Sequence, residues 1–292
     1  MLLVTGANGK IGSRIIPILI QKGFKIRVLG RDPKLERYRE FGADIMFGDA
    51  TWPRVMAEAM QGCDQVFYIP PRFSYQETKM AQIAIDAAAD AGVRQFVLMS
   101  VIHPHMDTML HHTMKLNAEK HLIYKGLSHK LNYTIIQPVH FHHNLVVDRI
   151  IEEGGFYHYN SPDIPMAYVN CEDIGEVVSK ILSENCHNCA TYQLCGPDYV
   201  VPSEVAEIFK KVSGRDVVPK QVKDEDLEEL WPRFVPDDPY AKEALFHMQY
   251  TYSRFGFAGN KNVMEWLLGR ASTDLETYFQ RELQRLGYPV EG

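Results

Sequence analysis

The chain has 292 residues, 46% of them hydrophobic and 23% charged, a globular composition long enough for one large core and a smaller lobe. A formal net charge of −6 with scattered basic residues leaves no electrostatic footprint for nucleic acid. No apolar run reaches the roughly 18–20 residues that span a bilayer, and five cysteines in no small secreted spacing point to reducing cytoplasm.

The chain opens on Leu2-Leu3-Val4 running straight into Thr5-Gly6, so a strand is expected there and no signal peptide. A helix is predicted over residues 10–22, with Ile11, Ile15, Ile16 and Leu19 on one face. Strands then alternate with helices: strand 25–29, helix 33–41, strand 44–47, helix 54–60, strand 65–69, helix 77–91, strand 95–100, helix 111–125, strand 133–137. Short strands separated by helices imply βαβ units and a parallel sheet covered on both faces, an α/β doubly wound class. After the Gly154-Gly155 turn, strand 167–170 and helix 173–182 are expected to return to the edge of that sheet.

Beyond residue 197 helices dominate, at 203–213, 224–230, 241–255 and 262–268, with Ser203 resembling an N-cap. The acidic stretch 223–229 reads as a solvated helix face. Two domains are expected: 1–150 with 167–182 returning to its sheet, and a smaller, mainly helical lobe over 151–292 that binds substrate. Cys186 and Cys189 form a single CxxC around His187, a weak zinc signal without a second pair, and the segment reads as a loop before strand 191–194. No metal is expected.

The sharpest motif is Thr5-Gly6-Ala7-Asn8-Gly9-Lys10-Ile11-Gly12, placed between the first strand and the first helix. A dinucleotide pyrophosphate seeks helix N–H groups and the positive end of a dipole, and glycines let backbone approach it closely. Which dinucleotide is read at the end of the second strand, where Gly30-Arg31-Asp32 presents a guanidinium before any carboxylate. Arg31, aided by Lys34, suits a 2′-phosphate, so NADP(H) is favoured over NAD(H), against the repulsion Asp32 would exert. Asp49, after the third strand, is placed either to accept from an adenine amine or to cap the next helix.

The segments TGANGKIG, VLGRDP, GDAT at 48–51, VFYIPP at 66–71, FVLMS at 96–100, YTIIQP at 133–138 and the following Asn144 resemble the NmrA-like group of atypical short-chain dehydrogenases. YVNCEDIGEVV at 168–178 and GFAGNKNVMEWLLGR at 256–270 are similar as well, and the likeness is weakest around 183–245. The resemblance implies a Rossmann domain, a small C-terminal substrate lobe and NADP(H). Pro70-Pro71 is expected to shape the loop under the nicotinamide, since proline fixes φ and rejects helix there, and Pro138 is a further cofactor-site candidate. The group spans quinone, benzylic ether and isoflavone-type reductases and redox-sensing regulators without known turnover, so it implies fold more firmly than activity.

Ordinary short-chain dehydrogenases use a Tyr four residues before a Lys, assisted by a Ser. Here Lys115 fills the Lys slot, Ser100 the Ser slot, and the Tyr slot holds His111. Three repairs are open: a histidine moves the proton near neutral pH, the substrate needs no strong acid, or nothing is turned over. His103, His105, His111, His112, His140, His142 and His143 follow or flank the fifth and sixth strands, where open α/β sheets bind ligands. His105 and His112 read as surface residues, His121 and His129 likewise, and His140 as a backbone hydrogen-bonder or an acid–base group. These histidines lack a carboxylate pattern for metal.

Phe73, Tyr75, His103, Phe141, His142 and Asn144 are the candidate substrate contacts, with Tyr157 and Tyr159 near them; Phe156, Trp231 and Trp266 read as core. The expectation is an NADPH-dependent oxidoreductase for a small hydrophobic, aromatic or conjugated substrate. The alternatives are an NADP(H)-sensing protein with a protein partner, and an isomerase or cyclase using the histidines.

Overall fold

The computed structural model describes residues 1–234 and 236–291, with Trp231 and Arg233 described by backbone only. The strands are β1 (Leu2–Val4), β2 (Ile26–Gly30), β3 (Asp44–Phe47), β4 (Gln65–Tyr68), β5 (Gln95–Met99), β6 (Tyr133–Pro138), β7 (His140–Phe141), β8 (Gly155–His158), β9 (Met166–Val169), β10 (Ala190–Leu194), β11 (Tyr199–Val200) and β12 (Val218–Gln221). The helices are α1 (Gly12–Gln21), α2 (Pro53–Met60), α3 (Glu77–Asp90), α4 (Leu110–Leu127), α5 (Val147–Glu153), α6 (Cys171–Ser183), α7 (Pro202–Ser213), α8 (Leu227–Phe234), α9 (Pro239–Phe255), α10 (Asn262–Leu268) and α11 (Leu275–Leu286). The segment Pro33–Phe41 is a 3-10 helix rather than an α-helix.

The chain forms two compact units. The first comprises Met1–Asp107, His111–Pro138 and Ile174–Gln193; the second comprises Thr108–Leu110, Val139–Asp173 and the chain from Leu194 onward. The first unit carries a seven-stranded sheet in the order β10-β6-β5-β4-β1-β2-β3. From β1 to β6 every neighbouring pair runs parallel. Because side chains alternate along a strand, Leu3, Val66, Tyr68, Phe96, Leu98 and Ile135 share one face and pack against Met56, Ala81, Ile85, Ala88 and Leu122. On the opposite face, Gly175 of α6 lies so close to Ile18 of α1 that a Cβ would stand 2.8 Å from its Cδ1. Helices on both faces leave the loops after β1 to β6 at one edge, and that edge carries the candidate site.

The strand expected to return at 167–170 is β9, and it does not join the large sheet; it pairs with β11 and β7 in a three-stranded sheet of the second unit. The strand that does return is β10, beside β6. Residues 139–150 fall in the second unit, so the chain leaves the first one at Pro138.

The N-cap of α7 is Val201, whose N–H donates to Glu204 Oε2 at 2.8 Å, and not Ser203. Trp266 is 65% exposed and is not core, whereas Phe156 is buried; the side chain of Trp231 lies outside the described residues. Helices α5 and α11 and the short strands β7, β8, β11 and β12 were not anticipated.

Candidate cofactor and active site

The glycine-rich loop is built from its root upward. The Thr5 hydroxyl donates to the Ile69 carbonyl at 3.0 Å and accepts from its N–H at 2.8 Å, tying the end of β1 to the end of β4. Thr5 is therefore committed to the scaffold rather than to a ligand. Gly6 sits at φ +65°, where a side chain is strained, and a Cβ there would stand 3.0 Å from Ile69 Cβ. At Gly12 a Cβ would lie 2.4 Å from the Gly6 carbonyl, so only glycine lets α1 start beneath the loop. The Tyr38 hydroxyl donates to the Ala7 carbonyl at 2.7 Å and pins the loop from the side, a contact the sequence reading missed.

Two features fit this loop to a phosphate-bearing ligand. No side chain caps the start of α1, whose N-cap is Ile11, and Gly6, Gly9 and Lys10 are exposed. Both amide atoms of Asn8 are enclosed and find no hydrogen-bond partner among the described residues. An amide left so inside a protein signals a partner still to come.

Arg31 follows β2 with 77% of its side chain exposed, and one Nη1–H points to Asp49 Oδ2 at 3.3 Å. Asp32 does not oppose it directly, since its carboxylate caps the next segment by accepting from Lys34 N–H at 2.9 Å. Asp49 neither caps a helix nor has its carboxylate idle. Its Oδ1 accepts from the N–H and hydroxyl of Thr51 at 2.9 and 2.8 Å, which hold the carboxyl below the usual range. The cap position before α2 belongs to Trp52.

Further along the same edge, Pro70, Glu77, Ser100 and Lys115 line one small cavity. Lys115 Nζ donates to Glu77 Oε1 at 2.5 Å, in a pair whose side chains are 14% and 1% exposed. Glu77 is the functional residue that sequence reasoning missed, because an acidic residue in the first turn of a helix is ordinary. Its second oxygen, Oε2, has no partner among the described residues. Burial raises the Glu77 carboxyl and Lys115 opposes that rise. Burial, with Glu77 nearby, also pushes the enclosed Tyr68 phenol far up. Ser100 is buried at the end of β5 beside Glu119, whose Oε1 accepts from Gln137 Nε2 at 2.9 Å.

His111 and Lys115, four residues apart, share one face of α4. His111 is buried, edge-on to Phe73 at 5.0 Å and to His112 at 4.7 Å, and its Nδ1 has no hydrogen-bond partner among the described residues. Burial, then the charges of His112 and Lys115, drives its pKa well below the ordinary histidine value. The expected titration near neutral pH is thus corrected: His111 stays a neutral imidazole there. His112, read from sequence as a surface residue, is fully buried and pushed down to about 3 by desolvation; its Nδ1 lies 3.2 Å from the His103 carbonyl.

Phe73 and His103 hold left-handed backbone, at φ 52° and 50°, a strained conformation that clusters at functional sites. Tyr75 is 62% exposed, His105 is exposed, and His121 is half-buried against Asp86 at 2.9 Å.

Of the remaining candidates, His140, Phe141, His142 and Asn144 belong to the second unit and Pro138 ends the first. His140 is edge-on to Tyr168 at 5.4 Å, and its Nε2 lies 3.2 Å from Asn144 Nδ2. His142 is fully enclosed, 5.3 Å from the Tyr278 ring, with Nε2 3.3 Å from Asp198 Oδ2. His142 is thus enclosed within the second unit, and neither ring nitrogen has a hydrogen-bond partner among the described residues. Phe141 stacks on His143 at 4.9 Å, and Pro138, at the end of β6, accepts from Ile102 N–H at 3.0 Å.

Comparison with known proteins gives a match to the NmrA-like family over residues 1–286. The chain belongs to the NmrA-like family. It is 27% identical to the NAD(P)H azoreductase of Xenophilus azovorans over 219 residues, 74% of this chain and 75% of that one. The NADPH-dependent quinone oxidoreductase of Escherichia coli, solved with NADPH, superposes with a TM-score of 0.81 at 22% identity, covering 96% of this chain and 99% of the other. Nmra, a negative transcriptional regulator, gives a TM-score of 0.77 at 17% identity, covering 98% of each chain. Within this NmrA-like chain the fold is the mostly parallel sheet with flanking helices that those structures share. Among its described residues no helix is long and apolar enough to cross a membrane.

Proposed function

We propose that this protein is an NADPH-dependent reductase that acts on a small hydrophobic acceptor, aromatic or conjugated, in the cytoplasm. The observation that carries the reading is the loop over residues 5–12, a cradle only glycine permits, holding an Asn8 amide with no partner for either atom among the described residues. The Asn8 amide and the backbone N–H groups opening α1 would hold the pyrophosphate, and Arg31, set by Asp49, would take the 2′-phosphate. NADPH supplies a hydride when bound. A relative that is an NAD(P)H azoreductase supports this reading.

What the chain's own residues do follows from their burial. Glu77 fixes the Lys115 ammonium at one oxygen, leaving its other N–H bonds to orient ribose hydroxyls. A neutral His111 imidazole would offer a substrate an uncharged N–H donor, so no strong acid stands in the Tyr slot. Acceptors that take hydride at a conjugated system, such as quinones, azo compounds and enones, suit that arrangement better than simple ketones. Phe73, held against His111, and His103 would shape the acceptor side of the first unit.

The test is NADPH consumption by the purified protein over a panel of quinones, azo dyes, enones and imines. Turnover with a conjugated acceptor is expected. Replacing Lys115 alone strands a buried carboxyl, so the informative variant is Glu77→Gln with Lys115→Gln, which should cut turnover about 100-fold through lost positioning. NADPH binding without consumption of any acceptor would instead support an NADP(H)-sensing protein, a second reading favoured by the absence of a titrating acid at His111. Turnover of a substrate with no net NADPH loss would support an isomerase or cyclase.

A further inference from the structure

The loop joining α6 to β10 lies outside everything the reductase reading uses, and it gathers three different metal-ligating side chains. Glu184, Cys186 and His187 each offer one ligand atom within 4.8 Å of the others. His187 Nε2 lies 3.0 Å from Glu184 Oε2, and Cys186 Sγ lies 3.7 Å from the same oxygen. Bonds of roughly 2.0–2.3 Å to one tetrahedral ion place neighbouring ligand atoms about 3.2–3.7 Å apart. These two separations lie within a few tenths of an ångström of that range, and all three ligand atoms lie within 4.8 Å of one another.

His187 is set up as a ligand rather than as a surface partner for Glu184. Its side chain is 2% exposed, and its Nδ1 is engaged by the Tyr192 hydroxyl at 2.9 Å, which fixes the ring and turns Nε2 to the other two groups. Metal-bound histidines carry such a partner on the second nitrogen. The loop backbone is fastened to the neighbouring strand: the His187 carbonyl accepts from Thr134 Oγ1 at 2.7 Å, Asn188 Oδ1 accepts from Tyr133 N–H at 3.1 Å, and Cys189 N–H donates to the Tyr133 carbonyl at 2.8 Å. Ordering the loop in advance lowers the entropy cost of closing a site there.

We propose that Glu184, Cys186 and His187 form a binding site for a zinc-class divalent cation, with the fourth position open to solvent. A thiolate with an imidazole and one carboxylate selects zinc or its cobalt surrogate over magnesium and calcium, which take oxygen ligands. Binding releases the Cys186 thiol proton to solvent, so affinity rises with pH. Cys189, the other half of the CxxC, stands outside the trio and serves as a control.

The experiment is a titration of the whole protein with Co²⁺ under a non-thiol reductant, reading thiolate-to-cobalt charge-transfer absorption, followed by displacement with Zn²⁺. One equivalent of Co²⁺ should generate the band, Zn²⁺ should abolish it and Mg²⁺ should not. Cys186→Ser should remove the band and Cys189→Ser should leave it, with folding of each variant checked by circular dichroism. Tyr192→Phe should weaken Zn²⁺ binding about 10–100-fold, the usual cost of losing a histidine's outer partner. No band in the wild-type protein, or a band that survives Cys186→Ser, would overturn the proposal. So would equal loss in Cys189→Ser, which would put the ion on a different ligand set.

Discussion

In the first unit the strands from β1 to β6 pair in parallel and interleave with helices, while the second unit makes its two small sheets from strands of two to four residues. The second unit also relies on carboxylates that accept from loops and helix ends. Asp173, 1% exposed, accepts from Arg270 Nη2 at 2.8 Å, Thr273 N–H at 2.6 Å and Thr273 Oγ1 at 2.9 Å. Asp198 accepts from Leu275 N–H at 2.9 Å and faces His142 at 3.3 Å. Both units bury carboxylates, but in the first the Glu77–Lys115 pair lines the candidate site, whereas in the second Asp173 and Asp198 tie loops and helix ends together.

The sharpest way to break that contrast is Asp173→Ala. It strips three donors of their shared acceptor and leaves Thr273 N–H buried, so we expect a loss of about 3–5 kcal/mol in urea unfolding. In the first unit the matching loss comes from deleting a core side chain, as in Phe96→Ala, at about 3–5 kcal/mol, or from stranding one partner of the buried Glu77–Lys115 pair. A loss below about 1 kcal/mol for Asp173→Ala would mean the carboxylate network does not organise the second unit.

The same contrast explains what was legible in the sequence. Leu2–Val4 followed by glycines and an apolar helical face announces β1, the loop and α1 from local chemistry alone. Strand β9 reads equally well as a strand, but its partners are two-residue segments with no signal of their own, so its sheet could not be assigned. Likewise Lys115 and Ser100 were found by position, whereas Glu77 was not, because its importance lies in a contact 38 residues away in the chain. His112 and His142 looked like surface or pocket groups, and only tertiary packing encloses them.

The next largest effect concerns the loop. Gly12→Val drives a side chain against the Gly6 carbonyl, which a Cβ would meet at 2.4 Å, so the loop must open. NADPH affinity should fall about 100-fold, equivalent to roughly 2.7 kcal/mol, in a fluorescence titration. Unaltered affinity would remove the loop from the cofactor reading.

Acid should then act through the buried histidines of α4, as it does at His158 of the second unit, whose pKa burial also lowers. His111 and His112 have folded pKa values below the unfolded value of about 6.5, His112 reaching about 3. The unfolded chain therefore takes up protons that the folded one refuses, and stability is full above about pH 6.5 and falls as pH drops toward the folded pKa. The slope approaches about 1.4 kcal/mol per pH unit for each histidine. Urea unfolding at stepped pH should show this decline, and His112→Asn should flatten it by about one histidine's share. An unchanged slope in His112→Asn would place the acid sensitivity outside α4.

The smallest effect is the most selective. Arg31 is mostly exposed and contributes little to the fold, since its pairing with Asp49 at 3.3 Å is the kind of surface contact worth about 0–1 kcal/mol. Its weight should appear only when a 2′-phosphate is present, as charge-assisted hydrogen bonds of about 1.5–3 kcal/mol. Arg31→Ser should thus weaken NADPH binding by roughly 10-fold or more, leave NADH binding and unfolding midpoint where they were, and lower the salt dependence of NADPH binding. Equal weakening of both cofactors would show that Arg31 acts by holding Asp49 and the Thr51 turn in place. That outcome would move the reading of the 2′-phosphate to another cation on the same edge, with Lys34 the first to replace.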